Sequence, residues 1–157
     1  MTKHSGIHEK GTFNLSDLMS ALKANPNFGK AGAVSLFIGV ARGETKEGEI
    51  VGKLELEAYP EKAEQVLEGI CEALSEKVGI IDVQIHHLIG TFDVGEELVY
   101  VAVAGRHRSS VFPILREAVE RYKHEAPIFK REYVTDKKGT TRSYWVEEHD
   151  NTSVESS

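Results

Sequence analysis

The chain has 157 residues, 40% of them hydrophobic and 28% charged, the balance of one soluble folded domain rather than a disordered segment. Its formal net charge of −6 argues against a general affinity for nucleic acid or anionic membranes. With one cysteine, an intrachain disulfide, a CxxC redox pair and a cysteine-built zinc site are excluded.

In chain order, Leu15, Leu18, Met19 and Leu22 recur at helical spacing behind Asn14 and Ser16, either of which can cap, and Pro26-Asn27 ends the helix. Ala33 to Val40 reads as a buried strand, and Arg42 to Gly48 as a polar loop. Ile50 to Tyr59 alternates Leu54, Leu56 and Ala58 against Lys53, Glu55 and Glu57, the pattern of a half-buried strand. Pro60 opens a second helix at a position where proline is tolerated. Its stripe runs Ala63, Val66, Leu67, Ile70, Cys71, Leu74 and Val78.

Ile80 to Ile89 and Glu97 to Ala104 follow as strands, joined by a turn at Phe92 to Glu96. Ser109 or Ser110 is expected to cap a third helix, with Pro113 inside its first turn and Phe112, Leu115, Val119 and Tyr122 buried. Pro127 ends that helix. Phe129 to Val134 and Ser143 to Val146 form a closing antiparallel pair around Asp136 to Gly139. The order α-β-β-α-β-β-α-β-β, without strict βαβ alternation, indicates an α+β domain. No repeat or linker divides it, so a single domain is expected over 1–147 and a disordered tail over 148–157. The longest weakly polar run, Ala31 to Ala41, is about half what a membrane span needs. The first residues lack the apolar core of a secretory signal, so a cytoplasmic protein is expected.

Charge is unevenly spread. Arg106 to Glu132 holds seven basic and four acidic residues, a local +3 that leaves −9 for the remainder. Part of this is explained by i,i+4 pairs on a solvated helix face, such as Arg116–Glu120 and Glu117–Arg121. That account fits Arg106-His107-Arg108-Ser109-Ser110 less well. This cluster stands where a strand gives way to a helix N-terminus, a place that already attracts anions. A phosphate or carboxylate site is the functional reading. Lys123 lies at the far end of the helix, about 20 Å away for four turns, and Lys130 lies beyond the Pro127 break. A single site could combine both ends only if another segment or subunit folds over. Two nearby ammonium groups could serve one as acid, base or nucleophile and the other as anion stabiliser.

Other motifs are absent: no GxxxxGK[ST], GxGxxG or HExxH occurs. His86 and His87 are adjacent in a strand, so their rings point to opposite faces and do not chelate one metal together. Cys71, inside a buried stripe, is expected to act as a small hydrophobe.

A set of motifs resembles the large (catalytic) subunit of molybdopterin synthase, the MoaE family. They are Phe37-Ile38-Gly39-Val40-Ala41-Arg42-Gly43, Leu56-Glu57-Ala58-Tyr59-Pro60, Ile85-His86-His87-Leu88-Ile89-Gly90, Ala104-Gly105-Arg106-His107-Arg108-Ser109-Ser110, Tyr122-Lys123, Ala126-Pro127-Ile128-Phe129-Lys130-Arg131-Glu132 and Trp145-Val146-Glu147. The resemblance runs from Gly32 to Glu147. It implies an α/β-hammerhead fold, antiparallel sheets with helices packed on them, and a homodimer. Each protomer would bind a small ubiquitin-like sulfur-carrier subunit ending in a Gly-Gly thiocarboxylate, giving a heterotetramer. The implied reaction is sulfur transfer to cyclic pyranopterin monophosphate, forming the molybdopterin dithiolene, with no metal and no further cofactor.

By the resemblance, Lys123 and Lys130 match the catalytic lysines. Val40, Ala41, Arg42, His107, Arg108, Lys123, Lys130, Arg131 and Glu132 fall on substrate-site positions. Two departures stand out: Ile128-Phe129 replaces a frequent aromatic pair, and Val40-Ala41 replaces a pair containing a basic residue. The residues to about Asn27 carry no signature. A second protomer supplying His107 and Arg108 to the pocket of Lys123 would resolve the distance between the helix ends. The rival readings are a non-catalytic module for an anionic pterin or nucleotide and, more remotely, an RNA-binding domain. The latter lacks an RNP-like aromatic strand.

Overall fold

Continuous and alternating apolar runs divide the chain between helices and strands. A computed structural model describes residues 3–146. Its elements are β1 (Ser5–Glu9), α1 (Leu15–Lys23), a 3-10 turn (Phe28–Lys30), β2 (Ala33–Val40), β3 (Ile50–Ala58), α2 (Pro60–Ser75), β4 (Ile80–Asp93), β5 (Glu97–Gly105), α3 (Arg108–Glu125), β6 (Ile128–Thr135) and β7 (Thr141–Val146). Glu147 and the tail at 148–157 lie outside the described residues. The strands follow the order β2-β5-β4-β3-β6-β7, antiparallel throughout, with β1 added parallel to β4. Hairpins and inserted helices give the expected α+β class.

The 14-residue β4 ties the two halves of the sheet together. Its first part pairs with β5 between Ile80 and His87, while Ile85 to Ile89 pair with β1 on the opposite edge. From Gly90 to Asp93 that second edge passes to β3. Gly90 sits at the changeover with φ 130, a conformation open to glycine and strained for other residues.

β5 is buried on both faces, and therefore reads as an unbroken apolar run. Val99, Val101 and Val103 pack with Val83 and Ile85 of β4 beneath Leu67, Ile70, Cys71 and Leu74 of α2 and Val111, Ala118 and Tyr122 of α3. Tyr100, Ala102 and Ala104 face the other way, against Leu18 and Leu22 of α1 and Leu54 and Leu56 of β3. Each large aliphatic side chain so buried contributes about 1.5–3 kcal/mol. α1 begins with a reciprocal cap: the Asp17 N–H donates to Asn14 Oδ1 at 3.0 Å, and the Asn14 N–H donates to Asp17 Oδ2 at 2.9 Å.

Several expectations are corrected. β1 was not foreseen, because polar contacts rather than apolar alternation hold it. Ser5 Oγ donates to Glu68 at 2.7 Å, His4 Nδ1 meets Asp82 at 2.7 Å, and His8 meets His86 at 2.9 Å. α3 starts at Arg108 with His107 at its cap position and no side-chain cap bond, so neither Ser109 nor Ser110 caps and Pro113 lies beyond the first turn. Phe112 is 60% exposed, because its neighbour Val111 occupies the buried position. One residue is a 100° rotation on a helix of 3.6 residues per turn. α2 ends at Ser75, and Val78, past that end, is 98% exposed. On α3 the ion pair runs from Arg121 to Glu125, and His124 Nε2 lies 3.7 Å from Glu120, instead of the expected register.

Cys71 is fully buried. Its thiol lies 3.7 Å from the His4 carbonyl, and burial pushes it well above the ordinary thiol range. The adjacent His86 and His87 do face apart. His86 stacks on Phe13 at 4.2 Å, whereas His87 stands edge-on to Tyr122 at 5.8 Å.

Candidate active site

A cleft opens where the end of α3 meets the edge of the sheet. α3 finishes at Glu125 because Pro127 cannot continue it. The Ala126 N–H still reaches the Tyr122 carbonyl at 3.1 Å, and the Pro127 carbonyl accepts from the Tyr59 N–H at 3.4 Å. The chain then enters β6, where Lys130 pairs with Leu56 and Glu132 with Leu54 of β3. This turn brings Lys123, in the last turn of α3, and Lys130, on β6, into the lining of one cleft. A lysine in a last helical turn is favoured by the helix dipole.

Apolar residues floor the cleft. Phe37, Gly39 and Val40 of β2, Leu98 and Val99 of β5, and Leu56 of β3 line its inner part together with His87 and Tyr122. Gly39 allows β2 to lie close here: a Cβ on it would stand 2.5 Å from Val99 Cγ1. The β2–β5 register shifts between Gly39 and Val40, a bulge that redirects the chain toward Arg42. Ala41 itself is buried. Its N–H donates to the Glu96 carbonyl at 2.9 Å and its carbonyl accepts from the Gly95 N–H at 2.8 Å.

The outer part of the cleft, about 560 Å³, adds Arg42, Lys46, Glu120, His124 and Glu132. Arg42, Lys46, Lys123 and Lys130 thus face Glu120 and Glu132, an excess of positive charge in an acidic protein. Glu132 Oε1 lies 3.7 Å from Lys130 Nζ. Such a cleft suits an anion of a few hundred Å³ with an apolar or planar body.

The other expected site residues lie elsewhere. Strand alternation turns Arg131 to the opposite face of β6 from Lys130 and Glu132. There it donates to Ser143 Oγ at 2.8 Å and its guanidinium lies 5.7 Å from the Trp145 ring centroid. His107 and Arg108 stand at the other end of α3, about 24 Å from Lys123 at 1.5 Å per residue. One chain therefore joins Val40, Arg42, Lys123, Lys130 and Glu132, and leaves Ala41, His107, Arg108 and Arg131 outside the cleft. Sequence reasoning missed Lys46, His87 and Tyr122 as lining residues. The signal for His87 was its place opposite His86 on a strand packed under α3.

Among the described residues, no cluster of three or more His, Cys, Asp or Glu side chains is placed to hold a metal. No helix among them is long and apolar enough to cross a membrane.

Fold and cleft together define an α+β protein in which two lysines share the lining of one cationic cleft. The chain belongs to the family described as MoaE protein, whose model matches residues 8–125. A probable molybdopterin synthase from Haloferax volcanii is 34% identical over 133 residues, 84% of this chain; the chain spans about half (49%) of that relative. The molybdopterin synthase catalytic subunit of Pyrococcus abyssi is 31% identical over 93% of this chain and 92% of its own length. Among solved structures, molybdopterin synthase from Staphylococcus aureus superposes with TM-score 0.77 at 29% identity, covering 93% of this chain and 98% of that one. A complex of subunits 1 and 2 of the molybdopterin-converting factor from Helicobacter pylori shares the fold, with TM-score 0.66 at 20% identity over 82% of this chain and 83% of that one.

Proposed function

We propose that the cleft of Lys123 and Lys130 transfers sulfur from the C-terminal thiocarboxylate of a small ubiquitin-like subunit to cyclic pyranopterin monophosphate, forming the molybdopterin dithiolene. Family membership makes the chain a molybdopterin synthase catalytic subunit, a sulfur-transferring enzyme of molybdenum cofactor biosynthesis. The observation that carries the site assignment is the convergence of both lysines with Arg42 and Lys46 on one apolar-floored cleft.

The chemistry follows from those groups. A phosphorylated pterin needs cations for its phosphate, which Arg42 is shaped to supply through a bidentate contact. Lys123 meets the thiocarboxylate or polarises its carbonyl. Lys130, paired with Glu132, stabilises the anion that develops. The sulfur arrives on the Gly-Gly partner, in keeping with a chain whose own thiol is buried. The catalytic unit is a homodimer, a heterotetramer with its two small subunits, acting in the cytoplasm. In it a second copy of the chain brings His107 and Arg108 to the cleft, since one chain holds them a helix-length away from Lys123.

The test is reconstitution. The chain, a thiocarboxylated Gly-Gly partner protein and the pyranopterin are combined and the dithiolene product is assayed. Product is expected from the wild-type chain. A Lys123→Ala chain that keeps full turnover would reduce the cleft to a binding module.

A further inference from the structure

Lys130 and Glu132 are two residues apart on β6 and share its cleft face. The carboxylate of Glu132 is used at both oxygens. Oε1 lies 3.7 Å from Lys130 Nζ, and Oε2 accepts a hydrogen bond from the Tyr144 hydroxyl at 3.0 Å. Tyr144 is the direct cross-strand neighbour of Glu132 in the β6–β7 ladder, the spacing at which side chains on one face interact. The pair is sheltered, with the Glu132 side chain 12% and that of Lys130 23% exposed. A carboxylate so withdrawn from water depends on protein donors to hold its position.

Tyr144 is fixed from behind. Arg142 places its guanidinium carbon 5.2 Å from the Tyr144 ring centroid and pairs with Glu49 at 2.6 Å. Tyr144 does not line the cleft, whereas Glu132 and Lys130 do. The contacts therefore run in one direction, from a braced tyrosine through a carboxylate to an ammonium in the site.

We propose that Tyr144 is a positioning residue for sulfur transfer, acting through Glu132 to hold the Lys130 ammonium in its place in the cleft. This rests on the function proposed above. Without the hydroxyl, the Glu132 carboxylate loses one of its two anchors and turns about its last torsion, and its hold on Nζ loosens. Misplacing a charge-stabilising group costs turnover more than substrate binding, because its work is done as charge develops. Burial, reinforced by Glu132, pushes the Tyr144 phenol up to about 12, so it remains a donor at physiological pH.

The experiment measures steady-state kinetics of the reconstituted complex, with the thiocarboxylated partner protein and cyclic pyranopterin monophosphate as substrates. Tyr144→Phe is expected to lower kcat about tenfold and leave KM within about twofold. Glu132→Gln is expected to lower kcat further, and adding Tyr144→Phe to it is expected to change nothing more, because the path through the carboxylate is already cut. Phenylalanine keeps the ring beneath Arg142, and thermal melting checks that the fold is retained. Glu132→Asp approaches from the other side: withdrawn by one methylene from both partners, it is expected to lower kcat as well. Wild-type kcat in Tyr144→Phe or Glu132→Asp overturns the proposal. So does an equal loss from Tyr144→Phe in both backgrounds, which would make its role independent of Glu132. A wild-type chain that forms no product overturns the functional reading and this proposal with it. A wild-type chain that turns over beside an unaffected Tyr144→Phe overturns this proposal alone.

Discussion

Lys123 closes α3 and Lys130 lies on β6, and the Ala126-Pro127 turn brings both into the lining of one cleft. The turn is braced by the Tyr59 N–H, from the junction of β3 and α2, so the two ammonium groups are held by different elements joined by a short, restrained segment. Their roles are therefore separable. Lys123→Ala is expected to lower dithiolene formation at least about 100-fold, while binding of the phosphorylated pterin, measured by calorimetry, weakens only a few-fold. Loss of binding in step with turnover would instead make Lys123 a phosphate anchor.

The separation of His107 and Arg108 from Lys123 yields a test by mixing. If a second copy completes the cleft, Lys123→Ala and Arg108→Ala chains are each inactive alone. A mixed dimer of the two has one site with both residues intact. Random reassembly after mixing is expected to restore about a quarter of wild-type activity, since half the dimers are mixed and each has one of two sites intact. Activity that stays at the level of the separate variants would place all the working residues within one chain.

Acid should loosen the N-terminal strand. Burial, with a smaller contribution from His8, brings His86 down to about 3, and burial also lowers His8. In the unfolded chain both titrate near 6.5. Between those values the unfolded state binds more protons, so stability is full above about pH 6.5 and falls as pH drops toward 3. His86→Gln is expected to flatten that fall in urea-unfolding midpoints measured from pH 7 to 4.5. A slope unchanged from wild type would assign the acid sensitivity to other groups.

A glycine sets the far end of α3. A Cβ on Gly105 would stand 2.6 Å from Val111 Cγ1 and 2.8 Å from the Gly79 carbonyl. Part of that obstruction is backbone and cannot rotate away. Gly105→Ala is therefore expected to cost about 1–3 kcal/mol, read as a lower melting temperature. It is also expected to displace the turn carrying His107 and Arg108, and so to weaken pterin binding as well as stability.

Much of this was legible because it follows from simple periodicities. β5 is apolar on both faces and could only be a central strand, and the stripe from Ala63 to Leu74 could only be one helix face. The lysines were found through short motifs around Tyr122-Lys123 and Ala126 to Glu132. Three features escaped for physical reasons. β1 is held by a buried polar network reaching His4, Ser5 and His8, which no hydrophobic pattern reports. The stripe of Phe112, Leu115, Val119 and Tyr122 fits helical spacing, but the buried phase is the one set by Val111, Ala118 and Tyr122. The family motif places Arg131 in the site with Lys130 and Glu132, yet the two-residue period of a strand already turns it away. The Glu132–Tyr144 contact depends on β6–β7 register, which a hairpin pattern suggests but does not fix.

The seclusion of Cys71 beneath the His4 carbonyl carries a consequence for an enzyme that handles sulfur. A reachable thiol beside a thiocarboxylate would compete for its acyl carbon, trapping the donor as a thioester on the catalyst and releasing its sulfur as hydrosulfide. With its only cysteine shut inside α2's packing face, this chain offers the incoming donor no competing thiol.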